Sequence, residues 1–180
     1  MNKIDPGTRL GTMILDHFAM TLVIMIFVAP GMMYDMMQLF KNPGAPPRLF
    51  MGNFYMNLLG FSLYFNKDIY LGRSIAKRFL KLQVVDVKTG MPANPLRCLV
   101  RNLTIAVWPI EVIMALINSE RRLGDYLAGT KLVAYDAEQH KGNVDWTLVL
   151  IALLLAMAFV YLVCFYPIEL LLEGSGLRLY

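Results

Sequence analysis

Apolar positions in this chain gather into long runs, with polar residues confined to a few internal points and to the links between runs. The first run, Arg9 to Pro30 (RLGTMILDHFAMTLVIMIFVAP), predicts a helix long enough to cross a bilayer, with Arg9 at its front and Asp16 and His17 about two turns inside. An acid at that depth costs roughly 2.5 to 3.5 kcal/mol on insertion scales unless it faces protein or water. Asp16 therefore needs a partner. Arg9, seven residues earlier, lies on nearly the same helix face, about 10 Å away along the axis. Leu49 to Phe65 predicts a shorter second span, in which Gly52, Asn53, Met56, Asn57, Gly60 and Tyr64 recur at helical spacing. Small residues and amides on one stripe are what a helix presents to another helix in lipid. Asn53 and Asn57 are read either as packing groups or as neighbours of Asp16 in a polar pocket. Trp146 to Tyr166 holds no charged residue and has aromatic residues near both ends, which makes it the clearest span.

The middle of the chain is mixed. Pro95 to Asn118 carries Arg97 and Arg101 on one face, is interrupted at Trp108-Pro109, and holds Glu111 just past its midpoint. It is either a kinked crossing or an interfacial helix followed by a short re-entrant one; if it folds back, Arg101 or Arg97 can satisfy Glu111. Two strand-like runs, LQVVDV and TKLVAY, flank this segment and would pair if they share one side of the membrane, which favours a segment that does not fully cross. The expected fold is an all-α membrane protein. It is a multi-pass helical bundle of three to four membrane segments, the third of them crossing or re-entrant, with a small two-stranded cytoplasmic element.

Composition supports the membrane class, with 57% hydrophobic and only 17% charged residues. The net charge of +4 is concentrated in Lys67 to Asn94, where Lys67, Arg73, Lys77, Arg78, Lys81 and Lys88 outnumber Asp68 and Asp86. By the positive-inside rule this loop is cytoplasmic, and two preceding crossings make the N-terminus cytoplasmic too. Arg73, Lys77, Arg78 and Lys81 are the expected contacts to anionic lipid headgroups. A basic domain with an aromatic platform is missing, which argues against nucleic acid. The first run is too long for a cleaved signal and lacks a small-x-small site, so it reads as a retained helix. Cys98 and Cys164 form no CxxC site or disulfide framework, and two histidines without a carboxylate cluster imply no metal and no cofactor. Without a phosphate loop, GxSxG or HExxH, the chain is not expected to be an enzyme.

The residues resemble the RDD family of small bacterial membrane proteins, named for an arginine opening the first helix, an aspartate within it and a second aspartate further on. These fall on Arg9, Asp16 and, in RRLGDYLAGTKLV, Asp125. GRSIAKRFLKLQVVDVKTG and PLRCLVRN are similar to the family's basic loop and the Arg-rich start of its third segment. The resemblance implies an RDD-like membrane domain over residues 4–136, with an additional C-terminal transmembrane helix over 146–167. His17 stands where many relatives carry a second acid or a small residue. The resemblance also implies location in the bacterial inner membrane and transport of a cation or small solute, including cation/proton exchange. The residues placed in the polar network or transport site are Arg9, Asp16, Asp125, Asn53, Asn57, Glu111, Arg121 and Arg122. In that network Asp125 is an acceptor for Arg9 or a loop arginine. Four helices make a thin bundle, so a pathway would call for a homo-oligomer or a membrane partner. The alternative is a non-transporting scaffold or accessory subunit that binds partners and anionic lipid through its basic loops.

Overall fold

The computed structural model describes residues 4–44, 53–138 and 142–172. Gly52, His140, the end of the Pro-rich loop and most of the C-terminal tail lie outside the described residues. Helix α1 (Pro6–Lys41) opens where Asp5-Pro6-Gly7 had suggested a turn. The Asp5 carboxylate accepts the Thr8 amide at 3.1 Å as an N-cap, and Pro6 has a φ suited to the first helical position. At 36 residues, or about 54 Å, α1 runs through Pro30 and does not end there. The segment after Pro30 is therefore helical, and Asp35, expected at headgroup level, is buried.

Helix α2 (Phe54–Phe65) is capped by Asn53, whose side chain accepts the Tyr55 and Met56 amides. A turn-rich link leads to α3 (Ile75–Phe79) and strand β1 (Leu82–Asp86). Helix α4 (Pro95–Leu103) is capped by Asn94 and passes through a 3₁₀ turn, Thr104–Val107, into α5 (Trp108–Ile117), with a bend of 108°. Helix α6 (Leu123–Ala128) ends at Gly129 in the left-handed region and feeds strand β2 (Thr130–Ala134). Helix α7 (Trp146–Val160) continues through a π-helical turn, Tyr161–Phe165, into α8 (Tyr166–Leu172). Among the described residues two helices, Pro6–Lys41 and Trp146–Leu172, are long and apolar enough to cross a membrane; α4 with α5 would be a third if counted as one broken span.

The two strand-like runs pair as expected. β1 and β2 are antiparallel, with Leu82 opposite Ala134 and Asp86 opposite Thr130. Their inner faces meet Ile4, Ala93 and Cys98 in a small core of Leu82, Val84 and Leu132.

The chain divides into two compact units. The first comprises Met1–Met20 and Phe65–Leu153, and the second Thr21–Tyr64 and Leu154–Tyr180. Within the second, Gly60 of α2 faces Phe27 and Ile24 of α1, where an added Cβ would stand in ordinary van der Waals contact, and Phe54, Phe61 and Tyr161 form edge-to-face contacts around Phe165 or Phe54.

Candidate functional site

The first unit is held by buried charge. Over the part of α1 that belongs to this unit the buried positions are Arg9, Thr12, Met13, Asp16 and Met20, a stripe at helical spacing, while Leu15 and Phe18 are exposed. Arg9 and Asp16 thus share a face, but they do not pair with each other. Arg9 Nη2 donates to Asp125 Oδ2 at 2.8 Å, and Asp16 Oδ2 accepts from Lys77 Nζ at 2.6 Å.

Asp125 is the best-satisfied acid. It sits at the third position of α6, where Oδ2 accepts the Arg122 amide at 3.2 Å, as carboxylates near helix N-termini do. Thr130 Oγ1 donates to Oδ1 at 2.8 Å, and Arg101 grips both oxygens through Nε at 2.8 Å and Nη2 at 3.3 Å. Gly124 makes this possible, because a side chain there would overlap the Arg101 carbonyl and Thr104 Oγ1 where α6 crosses α4. Burial acts to raise the Asp125 pKa, but the attraction of Arg101, Arg9 and Arg122 outweighs it and holds the carboxyl well below the usual range.

The second junction is Asp68, in the link after α2. Its Oδ2 accepts from Arg101 Nη1 at 2.6 Å and Asn102 Nδ2 at 3.4 Å, and its Oδ1 lies 2.8 Å from Lys77 Nζ. Burial again opposes ionisation, and Lys77 and Arg101 reverse it, so Asp68 too is held below the carboxylate range. Lys77 reaches both acids because Ser74 caps α3 and positions it: Ser74 Oγ accepts the Lys77 amide at 3.3 Å and its ammonium at 3.1 Å. One ammonium therefore bridges the carboxylates of Asp16 and Asp68. Asp16 Oδ1 is buried and has no hydrogen-bond partner among the described residues.

Arg122 completes the network. Its Nε lies 3.1 Å from Glu111 Oε2, close enough for an ion pair though not aligned as a hydrogen bond, and its Nη2 donates to Asn102 Oδ1 at 2.8 Å. The other Glu111 oxygen accepts the Gly124 amide at 2.9 Å. Lys67 lies alongside. Desolvation pushes its ammonium down to about 7, with Lys77 and Arg122 lowering it further and Asp16 and Asp68 pulling it up. Five basic side chains, Arg9, Lys67, Lys77, Arg101 and Arg122, interact with four acidic ones, Asp16, Asp68, Glu111 and Asp125. One positive charge is in excess whenever Lys67 is protonated.

Several sequence expectations change here. Glu111 is satisfied by Arg122, not by Arg101 or Arg97; Arg97 instead pairs with Asp86 at 3.1 Å and donates to the Ala128 carbonyl. Lys77 is 3% exposed and committed to the two acids, which takes it out of the lipid-headgroup set. Arg73 is stacked 3.7 Å over the Tyr135 ring, whereas Arg78 and Lys81 are exposed. Arg121 stacks on Tyr126 and donates to the Thr130 carbonyl outside the network. Asn53 is an exposed cap, and Asn57 is buried in the second unit. Asp68, Lys67, Asn102 and Thr130 are site residues that the sequence reading passed over. Lys67 and Asp68 enter the sequence reading only through the charge of the basic loop, and the available signal is an acid placed directly after an apolar run.

Comparison with curated proteins and with solved structures gives no match. The profile of the RDD family matches residues 5–162, a region that takes in the buried charges and Trp146–Leu162 of the last helix. The match covers most of the chain, which belongs to the RDD family.

Proposed function

We propose that the chain is a multi-pass inner-membrane transporter, or a transporter component, that exchanges a monovalent cation for a proton. In this reading Asp16 and Asp68 are the cation-binding carboxylates, and Lys67 is the group that gains and loses the proton. The observation that carries it is the bridging position of Lys77 Nζ, 2.6 Å from Asp16 and 2.8 Å from Asp68. An ammonium held between two buried carboxylates is a protein-borne monovalent cation, which a mobile ion of the same charge can displace.

Linkage gives the coupling. A cation entering the Asp16–Asp68 site adds positive charge beside Lys67, whose proton is already weakly held, and so favours its release. The Asp125 junction, with five donors on one carboxylate, is the fixed part that holds α1, α4 and α6 together. Paired strands must lie on one side of the bilayer. The chain between β1 and β2 therefore crosses an even number of times, and the bent α4–α5 pair enters and leaves by the same face. A pathway among so few spans needs a second copy or a membrane partner.

Proteoliposomes loaded with a pH-sensitive dye test the proposal. A sodium or potassium gradient should drive proton movement that is abolished in Asp16→Asn and Asp68→Asn. Lys67→Gln should still admit the cation while moving no protons. Wild-type vesicles that show no proton movement under any monovalent cation gradient would sink the reading.

A further inference from the structure

Helix α3 is too short to hold itself together, yet it is pinned at a defined depth. Its inward residues are Ala76 and Lys77, and the Lys77–Asp16 contact ties it to α1 two residues before the charge-free run begins. From Phe18 to Tyr34 α1 has no charged residue, a length of about 25 Å, close to the hydrocarbon thickness of a bilayer. Asp16 therefore marks the edge of the hydrocarbon, and α3 lies beside that edge.

What α3 turns outward fits this level. Ile75, Phe79 and Leu80 are exposed, Phe79 at 78%, and Arg78 and Lys81 are exposed on the same short stretch. Arg78 lies 4.9 Å over the ring of Tyr70, itself exposed, so the cation and an amphipathic ring stand together. Large apolar side chains beside solvated bases, at the boundary set by the first span, match a bilayer surface bearing anionic headgroups.

We propose that Tyr70 and Ile75–Lys81 form an in-plane membrane anchor, with Ile75, Phe79 and Leu80 inserted at the top of the acyl layer and Arg78 and Lys81 holding anionic phospholipid headgroups. The anchor is independent of any transported ion. Its occupant is the lipid surface and not a second copy of the chain.

The test places a fluorophore on Phe79→Cys in a Cys164→Ser background, leaving only the buried Cys98 as a native thiol. The labelled protein is reconstituted into phosphatidylcholine vesicles with or without phosphatidylglycerol. Absence of Cys98 labelling in the undenatured protein confirms the fold. The probe should emit as in an apolar medium and be quenched more by lipid spin-labelled near the headgroup than by lipid labelled near the chain end. Spin-labelled phosphatidylglycerol should quench more than phosphatidylcholine at equal fraction, by up to about fivefold per basic residue. That preference should fall toward unity in Arg78→Gln/Lys81→Gln. Water-like emission without lipid quenching would overturn the proposal. So would energy transfer between labelled copies in place of lipid quenching, and so would equal quenching by the two headgroups before mutation.

Discussion

Asp125 shows how one carboxylate can dominate a unit's stability. Three arginines pair with it, so Asp125→Asn leaves the buried cations short of one counter-charge, a loss on the order of 3–5 kcal/mol for a broken buried pair. The variant should unfold at a markedly lower temperature in detergent than the wild type, whereas loss of the exposed Glu138 carboxylate should change little. The acid limb has a defined sign. Asp68 and Asp125 titrate below their ordinary value of 3.8, so the stability they contribute is complete above that pH and disappears as pH falls toward their lower folded values. Lys67 acts on the other side of neutrality. Between about 7 and 10.5 the unfolded chain keeps a proton that the folded chain has released, so stability should rise with pH across that window. Thermal unfolding of wild type against Lys67→Gln checks this, the variant losing the rise. Arg9, Asp16 and Glu111 were legible from sequence because ionisable groups in apolar runs are costly, and Asp125 with its neighbour Arg122 through the resemblance to the family pattern. The Arg9–Asp125 pair was among those expected, but Lys77 as the partner of Asp16 and Arg122 as the partner of Glu111 were not. A carboxylate seven residues from an arginine on one face looks like its partner, but helix geometry keeps the two a full two turns apart, and loop groups reach each one first.

At the level of elements, the two long apolar helices and the two strands could be read from hydropathy and periodicity, the second expected span, Leu49–Phe65, is helical only over Phe54–Phe65 among the described residues, and the tight crossing of α4 and α6 could not be read. Gly124 has no signature in the sequence beyond being a glycine in LGDYLAG. Gly124→Ala should destabilise the protein by about 1–3 kcal/mol through overpacking against the Arg101 carbonyl and should loosen Arg101 from both of its acids. Gly11→Ala, at an exposed helical position with open space around it, should be neutral or stabilising by up to about 1 kcal/mol. Limited proteolysis of the two variants compares them directly, and equal sensitivity would mean that the α4–α6 crossing tolerates a methyl group. Pro30 misled in the opposite direction. A proline usually ends a soluble helix, but α1 continues for eleven residues beyond it, as spans do when neighbouring groups serve the freed carbonyl.

For the whole molecule, the proposed topology rests on one pair of strands. With β1 and β2 hydrogen-bonded, residues 82–86 and 130–134 share a side, and a cysteine at exposed Asn143, in a Cys164→Ser background, reports that side for the link into α7. It should be unreactive toward an impermeant maleimide added to intact cells and reactive in inverted vesicles; labelling from outside would refute a cytoplasmic link. The span of the Arg9–Asp125 bond, 116 residues, also bears on how the protein is made. At synthesis rates of roughly 5–20 residues per second, α1 leaves the ribosome many seconds before the partner of its arginine exists, and also well before Lys77. During that delay α1 carries two unneutralised charges at the edge of its charge-free run, so the end that bears them should stay within reach of the insertion machinery until their partners arrive. Nascent chains arrested before Lys77 should crosslink to the insertase through α1, and chains extended past Asp125 should be released from it.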